Sequence, residues 1–244
     1  MKVTYSIPYG DEILRIAVRR GPMRTLHRIG IHVEPDGRVL VDAPEHATDA
    51  QILTAVAKKA RWISGHLRAI HKRLSQLLPR EYVSGESLLY LGRRYMLKVL
   101  FDKASRGTAR MRGRTIEVTV PRRDPAAVRA ALDAWYLVRA KEVLSSRLDA
   151  VAAPLRWVRQ CPPVRFQAMR VQWGSCSPAG RLTLNPHLVK APRECIDYVL
   201  LHELCHLRHH NHGVGFYRTL ALHMPHWREL KSMLDEMADR ILTG

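Results

Sequence analysis

The sequence has little cysteine, few acidic side chains and no long apolar run, and each shortage argues against a class of protein. Its four cysteines are widely separated, and no CxxC pair occurs among them. This spacing argues against both a disulfide framework and a cysteine-rich zinc module. No segment approaches the roughly 18 consecutive apolar residues of a membrane span, and the N-terminus lacks the apolar core of a secretory signal. We therefore expect a cytoplasmic protein without a membrane span.

Basic residues far outnumber acidic ones. The 244 residues include 40 Lys and Arg against 22 Asp and Glu, which gives a formal net charge of +18. Such a charge attracts polyanions, so nucleic acid is a candidate partner, although a solvated basic surface explains the charge equally well. Otherwise the composition, 46% hydrophobic and 25% charged, is that of an ordinary globular protein.

Hydrophobic patterning predicts an α+β fold whose strand-rich N-terminal region covers residues 1–122. Alternating apolar runs predict antiparallel strands at 3–7, 14–18, 28–33 and 38–44. Apolar residues at helical spacing predict one long helix over 49–78, interrupted or bent near Gly65. Further strands are predicted at 87–92, 94–101 and 109–121, with a turn at Gly113.

The second region, residues 123–244, carries the chemistry. Asp124 as N-cap and Pro125 as first helical residue predict a helix running to about Ala152. A strand over 164–173, a turn over 174–180 and a returning strand over 181–185 follow. Pro192 stands where a further helix can begin, and helices are predicted over 193–210 and 225–242.

The motif His202-Glu203-Leu204-Cys205-His206 lies within the helix predicted over 193–210. Residues four apart share one helix face, so the two imidazoles can reach a single metal ion. Glu203 is turned about 100° around the axis, which places its carboxylate beside the open coordination position, where a general base for a water must be.

A metal site explains this motif better than surface histidines do. Residue frequencies give about 0.03 chance matches to HExxH in a chain of this composition. Zinc is the natural metal for two imidazoles with a third N or O ligand and a water, and it supports amide hydrolysis. A cysteine nucleophile, Cys176 or Cys205, is then unnecessary.

The last third of the chain resembles the YgjP-like metallopeptidase family, which is related to the SprT-like zinc peptidases. The resemblance rests on the run WGSCSPAGRLTLNPHLVKAPRECIDYVLLHELCHLRHHNHGVGFY and on HMPHWRELKSML after it. It implies a zinc peptidase of zincin type, with His202, His206 and His212 as metal ligands and Glu203 as catalytic base.

His212 is preferred over His209 and His210 as third ligand for a further reason. A residue two turns beyond His202 lies about 12 Å along the axis, so a third ligand requires the chain to turn back. Asn211 and Gly213 flank His212 and suit such a reversal, whereas His209 is expected still to lie on the helix. The competing ligands are acidic residues of the last helix, Glu229 or Glu236.

Substrate contacts are assigned to residues on both sides of the motif. A strand at 173–176 can line the cleft and pair with an extended substrate, with Trp173 in contact, although a core role for Trp173 fits as well. The candidates for hydrogen bonding to a developing oxyanion are Tyr217, His223 and His226.

Two functions from different classes follow from these residues. The first is a zinc peptidase that cleaves proteins or peptides, including, by analogy with the SprT-like relatives, proteins attached to DNA. The second is a basic nucleic-acid-binding protein with a structural zinc. Glu203 favours the peptidase, because a closed structural site needs four protein ligands and no base.

Overall fold

The computed structural model describes residues 3–10, 12–21, 29–33, 37–75, 80–169 and 172–242. The chain divides into two compact units, residues 1–78 and residues 79–244. The fold is α+β, as the patterning predicts. Within the described ranges no helix has the length and apolar character needed to cross a bilayer.

A four-stranded sheet and one long helix form the first unit. The elements are β1 (Val3–Tyr9), β2 (Glu12–Gly21), β3 (Gly30–Val33), β4 (Val39–Pro44) and α1 (Asp49–Ser75). The strand order is β1-β2-β4-β3, in which β2 and β4 run parallel and the other pairs antiparallel. Alternate residues of β2 and β4 pack against the apolar stripe of α1 to form the core: Leu14, Ile16, Val18, Val39, Val41, Ala43, Ile52, Val56, Ala60 and Ile63.

The predicted strands of this unit are present, but two details differ. The β2–β4 pair is parallel, so the expected all-antiparallel arrangement is wrong for it. Helix α1 continues through Gly65 without interruption, because buried residues on both sides, Ile63 and Ile70, hold the helix against its neighbours. The helix was expected to reach Leu78, and residues 76–78 lie outside the described ranges.

A second sheet opens the larger unit. It contains β5 (Ser87–Tyr90), β6 (Arg93–Phe101), β7 (Thr108–Arg112) and β8 (Thr115–Val120), in the order β5-β6-β8-β7. Helix α2 (Pro125–Ala152) follows, and the Asp124 side chain accepts a hydrogen bond from the backbone nitrogen of Ala126. The N-cap and both predicted ends of this helix are confirmed.

The remaining elements form a small sheet and three helices. The strands are β9 (Val164–Phe166), β10 (Gly174–Cys176) and β11 (Leu182–Leu184), in the order β10-β11-β9. After them come a 3-10 helix (Pro186–Lys190), α3 (Arg193–His206), α4 (Val214–His223) and α5 (Trp227–Leu242).

Three local predictions in this region are wrong. Residues 174–176 form a strand where a turn was expected, because they pair antiparallel with β11. Of the described residues in the strand expected over 164–173, Val164–Phe166 form a strand and 167–169 and 172–173 do not. Helix α3 ends at His206, before the predicted end at residue 210. The 3-10 helix and α4 carry short or mixed patterns that periodicity does not single out.

One apolar core runs through the larger unit. It joins β5, β6 and β8 to α2, and α2 to α3, α4 and α5. Arg147 of α2 and Asp197 of α3 form a bidentate ion pair, with N–O distances of 2.8 and 2.6 Å. The boundary predicted after residue 122 therefore falls inside this unit. A catalytic region that starts at residue 123 stays a prediction.

Leu144 provides a test of this core, because it lies on α2 with no solvent exposure. Leu144→Ala is expected to lower the free energy of unfolding by about 2–5 kcal/mol, through lost burial and the cavity left behind. Val138→Ala on the same helix, at a side chain 49% exposed, is the control and should cost about 0.5 kcal/mol or less. Urea unfolding followed by circular dichroism measures both. Equal losses in the two variants would contradict the assigned core.

Candidate metal centre

Helix α3 holds His202, Glu203 and His206 in a nearly buried setting. Pro192 precedes the helix as N-cap residue, and its fixed backbone suits a helix start. Apolar residues cover most of the helix circumference and are buried: Cys195, Ile196, Tyr198, Val199, Leu200, Leu201, Leu204 and Cys205. Because packing fixes this helix on nearly all sides, the positions of its polar side chains are fixed as well.

Three imidazoles meet on one side of this helix. His202, His206 and His212 each offer a ring nitrogen, and these nitrogens all lie within 4.8 Å of one another. The Nε2 atoms of His202 and His212 are 2.9 Å apart. Among the described residues, these three form the group whose geometry suits a metal ion.

Phe216 of α4 supports all three rings. It has no solvent exposure, and its ring centroid lies 4.9 Å from His202, 4.7 Å from His206 and 4.7 Å from His212. A rigid aromatic side chain beneath the cluster restricts the rotamers of the imidazoles. Sequence reasoning missed Phe216. The one signal for it in the sequence is its position four residues after His212, on the next helix.

The chain turns back directly after His206. Because α3 ends there, His209 lies beyond the helix, and the expectation that it remains helical is wrong. The His206 Nδ1 lies 3.0 Å from the carbonyl oxygen of His209. A carbonyl only accepts, so Nδ1 carries the proton and Nε2 is left with its lone pair for a metal.

His209 is itself held in place by α4. Its Nε2 lies 3.0 Å from the Thr219 hydroxyl oxygen, and a side chain at Gly215 would come within 3.1 Å of its Cε1. His209 thereby fastens the loop that carries His212 to the ring of His206 through its carbonyl and to α4 through its side chain. His209 thus contributes its carbonyl group to the site, a contact that sequence spacing does not reveal.

The two helix histidines are neutral in this environment. Burial, followed by the neighbouring His212 and His206, lowers the pKa of His202 to about 3. Burial also lowers the pKa of His206, against the opposing effect of its hydrogen bond to His209. Neutral imidazoles are the form that binds metals, so both ligands are ready at neutral pH.

Glu203 lies in a different environment on the same helix. It is 5% exposed, and its Oε2 has no hydrogen-bond partner among the described residues. Burial raises its pKa to about 8. A buried carboxylate oxygen without a protein partner is suited to a water or to a substrate group.

Gly174 of β10 provides the space for Glu203. A methyl group at position 174 would lie 2.8 Å from the Glu203 Cγ and 2.9 Å from its Oε1. The carboxylate therefore packs against the backbone of β10. In the described sheet β10 has one neighbour, β11, so its other edge makes no strand pair among the described residues.

Two cysteines near the site, Cys176 and Cys205, have thiols whose ionisation is disfavoured. Burial, and then the charge of Glu203, raises the pKa of Cys176, which disfavours the reactive thiolate. Cys205 is fully buried and burial raises its pKa to about 12. Trp173 is half-buried against the core, and its carbonyl accepts a hydrogen bond from the backbone nitrogen of Asn185.

The other predicted contacts separate into near and distant residues. Tyr217 is 40% exposed, lies 6.1 Å from His212 between ring centroids, and stacks on Trp227. The structure places the His223 ring edge-on against Trp157, at 5.1 Å. His226 and Glu229 are exposed and lie beside each other, and the described metal-binding group includes neither Glu229 nor Glu236.

Comparison with known proteins gives a family and two structural neighbours. The sequence profile described as YgjP-like, metallopeptidase domain, matches residues 27–237. The metallopeptidase zymogen jannalysin of Methanocaldococcus jannaschii is 21% identical, with a TM-score of 0.32, over 40% of this chain and 94% of that one. The zymogen abylysin of Pyrococcus abyssi is 20% identical, with a TM-score of 0.33, over 42% and 94%. No curated protein matches the sequence.

The cluster predicts unequal effects of neighbouring histidines on metal affinity. His212→Ala removes one of three nitrogens and should weaken zinc binding about 100-fold or more. His210→Ala, two residues away and outside the cluster, should leave it nearly unchanged. Competition with a chromogenic chelator measures both variants. If His212→Ala keeps full occupancy while Glu229→Ala or Glu236→Ala loses it, the third ligand is an acidic residue.

Proposed function

The chain belongs to the YgjP-like metallopeptidase family, and from this premise we propose that it hydrolyses peptide bonds with a zinc ion held by His202, His206 and His212. Membership makes the chain a metal-dependent peptidase whose substrates are proteins or peptides. The observation that carries the finer proposal is the convergence of the three ring nitrogens within 4.8 Å.

The donor set fits zinc. Tetrahedral zinc, with Zn–N bonds of about 2.0–2.1 Å, places two of its nitrogen ligands roughly 3.4 Å apart. The separations in the cluster bracket this value, from 2.9 Å between His202 and His212 to no more than 4.8 Å overall. Three imidazoles leave a fourth position for water, which is the ligand pattern of catalytic zinc. A zincin-type catalytic region is proposed on the same grounds.

Zinc in this position supplies a Lewis acid that polarises the scissile carbonyl and acidifies the attacking water. Glu203 accepts the proton of that water on a carboxylate oxygen, while the water oxygen bonds to the carbonyl carbon. The protonated Glu203 then delivers the proton to the leaving nitrogen, so the C–N bond breaks to give an acid and an amine. The Oε2 atom supports this assignment, because no hydrogen-bonding group of the described residues competes with the water for it.

The edge of β10 that makes no described strand pair supports binding of an extended substrate. A peptide strand pairing with 174–176 would place its backbone beside Glu203, which packs on Gly174. Trp173 precedes this edge, and its half-buried ring supports a role at the rim of the cleft. Tyr217, whose ring lies beside His212, is the preferred donor to the developing oxyanion. His223 has no contact that supports this role.

The alternative from the sequence, a nucleic-acid-binding protein with structural zinc, has less support. A structural site has four protein ligands, whereas this cluster has three among the described residues, with a buried carboxylate on the next residue of the helix. Nucleic acid as a partner of the basic surface, and DNA-associated proteins as substrates, remain predictions from the net charge of +18.

Substitution of Glu203 tests the catalytic role. Glu203→Gln should keep one zinc per chain and lower hydrolysis of an unstructured protein about 100- to 10,000-fold, because proton transfer is lost while the ligands remain. Glu194→Gln, at an exposed site in the first turn of the same helix, is the matched control and should keep full activity. Turnover by Glu203→Gln at the wild-type rate would overturn the mechanism.

Substitution of Gly174 tests whether the position of the Glu203 carboxylate matters, while Glu203 itself is left unchanged. The new methyl group meets the Glu203 Cγ and Oε1, so Gly174→Ala should displace the carboxylate and lower kcat at least about 10-fold. Zinc content should stay at one per chain. Gly65→Ala, where a methyl group meets nothing within 4 Å, is the control. Unchanged kcat in Gly174→Ala would show that the carboxylate position is not critical.

A further inference from the structure

The two units of the chain contain the same arrangement of four strands and a helix. In the first unit a sheet of order β1-β2-β4-β3 precedes α1, and in the larger unit a sheet of order β5-β6-β8-β7 precedes α2. In both sheets the two inner strands run parallel, and each outer strand runs antiparallel to its neighbour. The two helices have 27 and 28 residues. The first unit therefore repeats a module of the larger one.

The sequences of the two modules also agree, at the turn and strand that lead into each helix. The segment GRVLVDAP over 37–44 corresponds to GRTIEVTVP over 113–121, which has one additional residue. Gly37 and Gly113 open these segments, and both have positive φ angles, of 82° and 58°. The agreement in strand order, turn and sequence identifies α1 as the counterpart of α2.

The two helices differ in what lies on the side that faces away from their own sheet. In the larger unit α3 packs against α2, where Leu144 is fully buried and Arg147 is paired with Asp197. The corresponding side of α1 is exposed. We call this side the α1 outer face, and it consists of Thr54, Ala57, Lys58, Lys59, Arg61, Trp62, Gly65, His66, Arg68 and Ala69.

The α1 outer face carries positive charge and no carboxylate. Its cations are Lys58, Lys59, Arg61 and Arg68. Asp49, in the first turn, is the one acidic residue in the sequence of this helix. Glu12 lies 4.0 Å from Arg68, and the other three cations have no ion pair with any residue that the structure describes. Like charges so close together repel one another, so a polyanion would be attracted to this face.

Trp62 lies among these cations. Its side chain is 43% exposed, although an indole of this size is usually buried. The helix period of about 100° per residue places Trp62 between Lys58 and Lys59 around the axis. Its ring centroid lies 4.4 Å from that of His66, so two aromatic rings adjoin on the surface. Proteins that bind single strands combine such features, because cations contact the phosphates while an aromatic ring stacks on a base.

We propose that the α1 outer face binds a single-stranded nucleic acid, whose phosphates contact its cations and whose unpaired base stacks on Trp62. A duplex fits less well, because its bases are already stacked on one another and do not offer a free face to the indole. A membrane surface also fits less well, since a membrane-bound helix inserts its apolar side, and the apolar side of α1 is buried in the core of the first unit. The proposal does not depend on the catalytic roles proposed for the metal centre.

Fluorescence anisotropy of the zinc-loaded full chain, with an end-labelled oligothymidylate of about 15 nucleotides, tests the proposal. The logarithm of the affinity should fall linearly with the logarithm of salt concentration. Lys58→Gln combined with Lys59→Gln should weaken binding about 10-fold and reduce the salt slope by about 1.4, because two phosphate contacts are lost. Trp62→Ala should weaken binding about 5-fold or more with the salt slope unchanged, whereas Trp62→Phe should retain most of the affinity.

A charge-matched variant separates this face from the net charge of the protein. Lys103→Gln combined with Lys141→Gln removes two exposed lysines of the larger unit and should change the affinity by no more than about 2-fold. Equal losses in the two double variants would overturn the proposal, since the overall charge would then drive binding. Binding of duplex DNA as tightly as of the single strand would also overturn it, as would binding of anionic phospholipid vesicles without binding of the oligothymidylate.

Discussion

The candidate metal centre depends on holding three polar rings close together in an apolar setting. Imidazoles at this separation gain little from one another, and burial makes a charged His202 costly, as its pKa of about 3 indicates. The packing of α3 and the ring of Phe216 therefore maintain the arrangement. His202 and His206 are thereby held neutral, so a metal ion at the cluster would meet lone pairs there instead of protons.

The same burial shifts the pKa of Glu203 in the opposite direction, upwards. It disfavours the carboxylate, whereas it favours the neutral imidazoles, so two adjacent residues of one helix are both driven towards neutral forms. A divalent cation reverses the balance at the carboxylate only, since opposite charge favours the ionised state. Metal loading and the protonation state of the base are thus linked through the electrostatics of one helix turn.

The sequence predicted the elements that strong periodicity or end signals define. Asp124 and Pro125 determine the start of α2 because both act through local backbone chemistry. The early end of α3 was missed, since the hydrogen bond from His206 to the His209 carbonyl depends on the tertiary position of the loop. Phe216 was missed as a site component for the same reason, because it matters through contacts with another element. Gly174 was expected in a strand lining the cleft, but its close approach to Glu203 was not.

The three imidazoles and their aromatic support all come from one continuous stretch, residues 202–216. Bringing the ends of so short a segment together costs little chain entropy, because closure entropy grows with the logarithm of loop length. The site therefore has low contact order and does not wait for strands far away in sequence to pair. A metal ion held by His202, His206 and His212 would therefore link the two sides of a short loop, residues 207–211, through contacts that are all local in sequence.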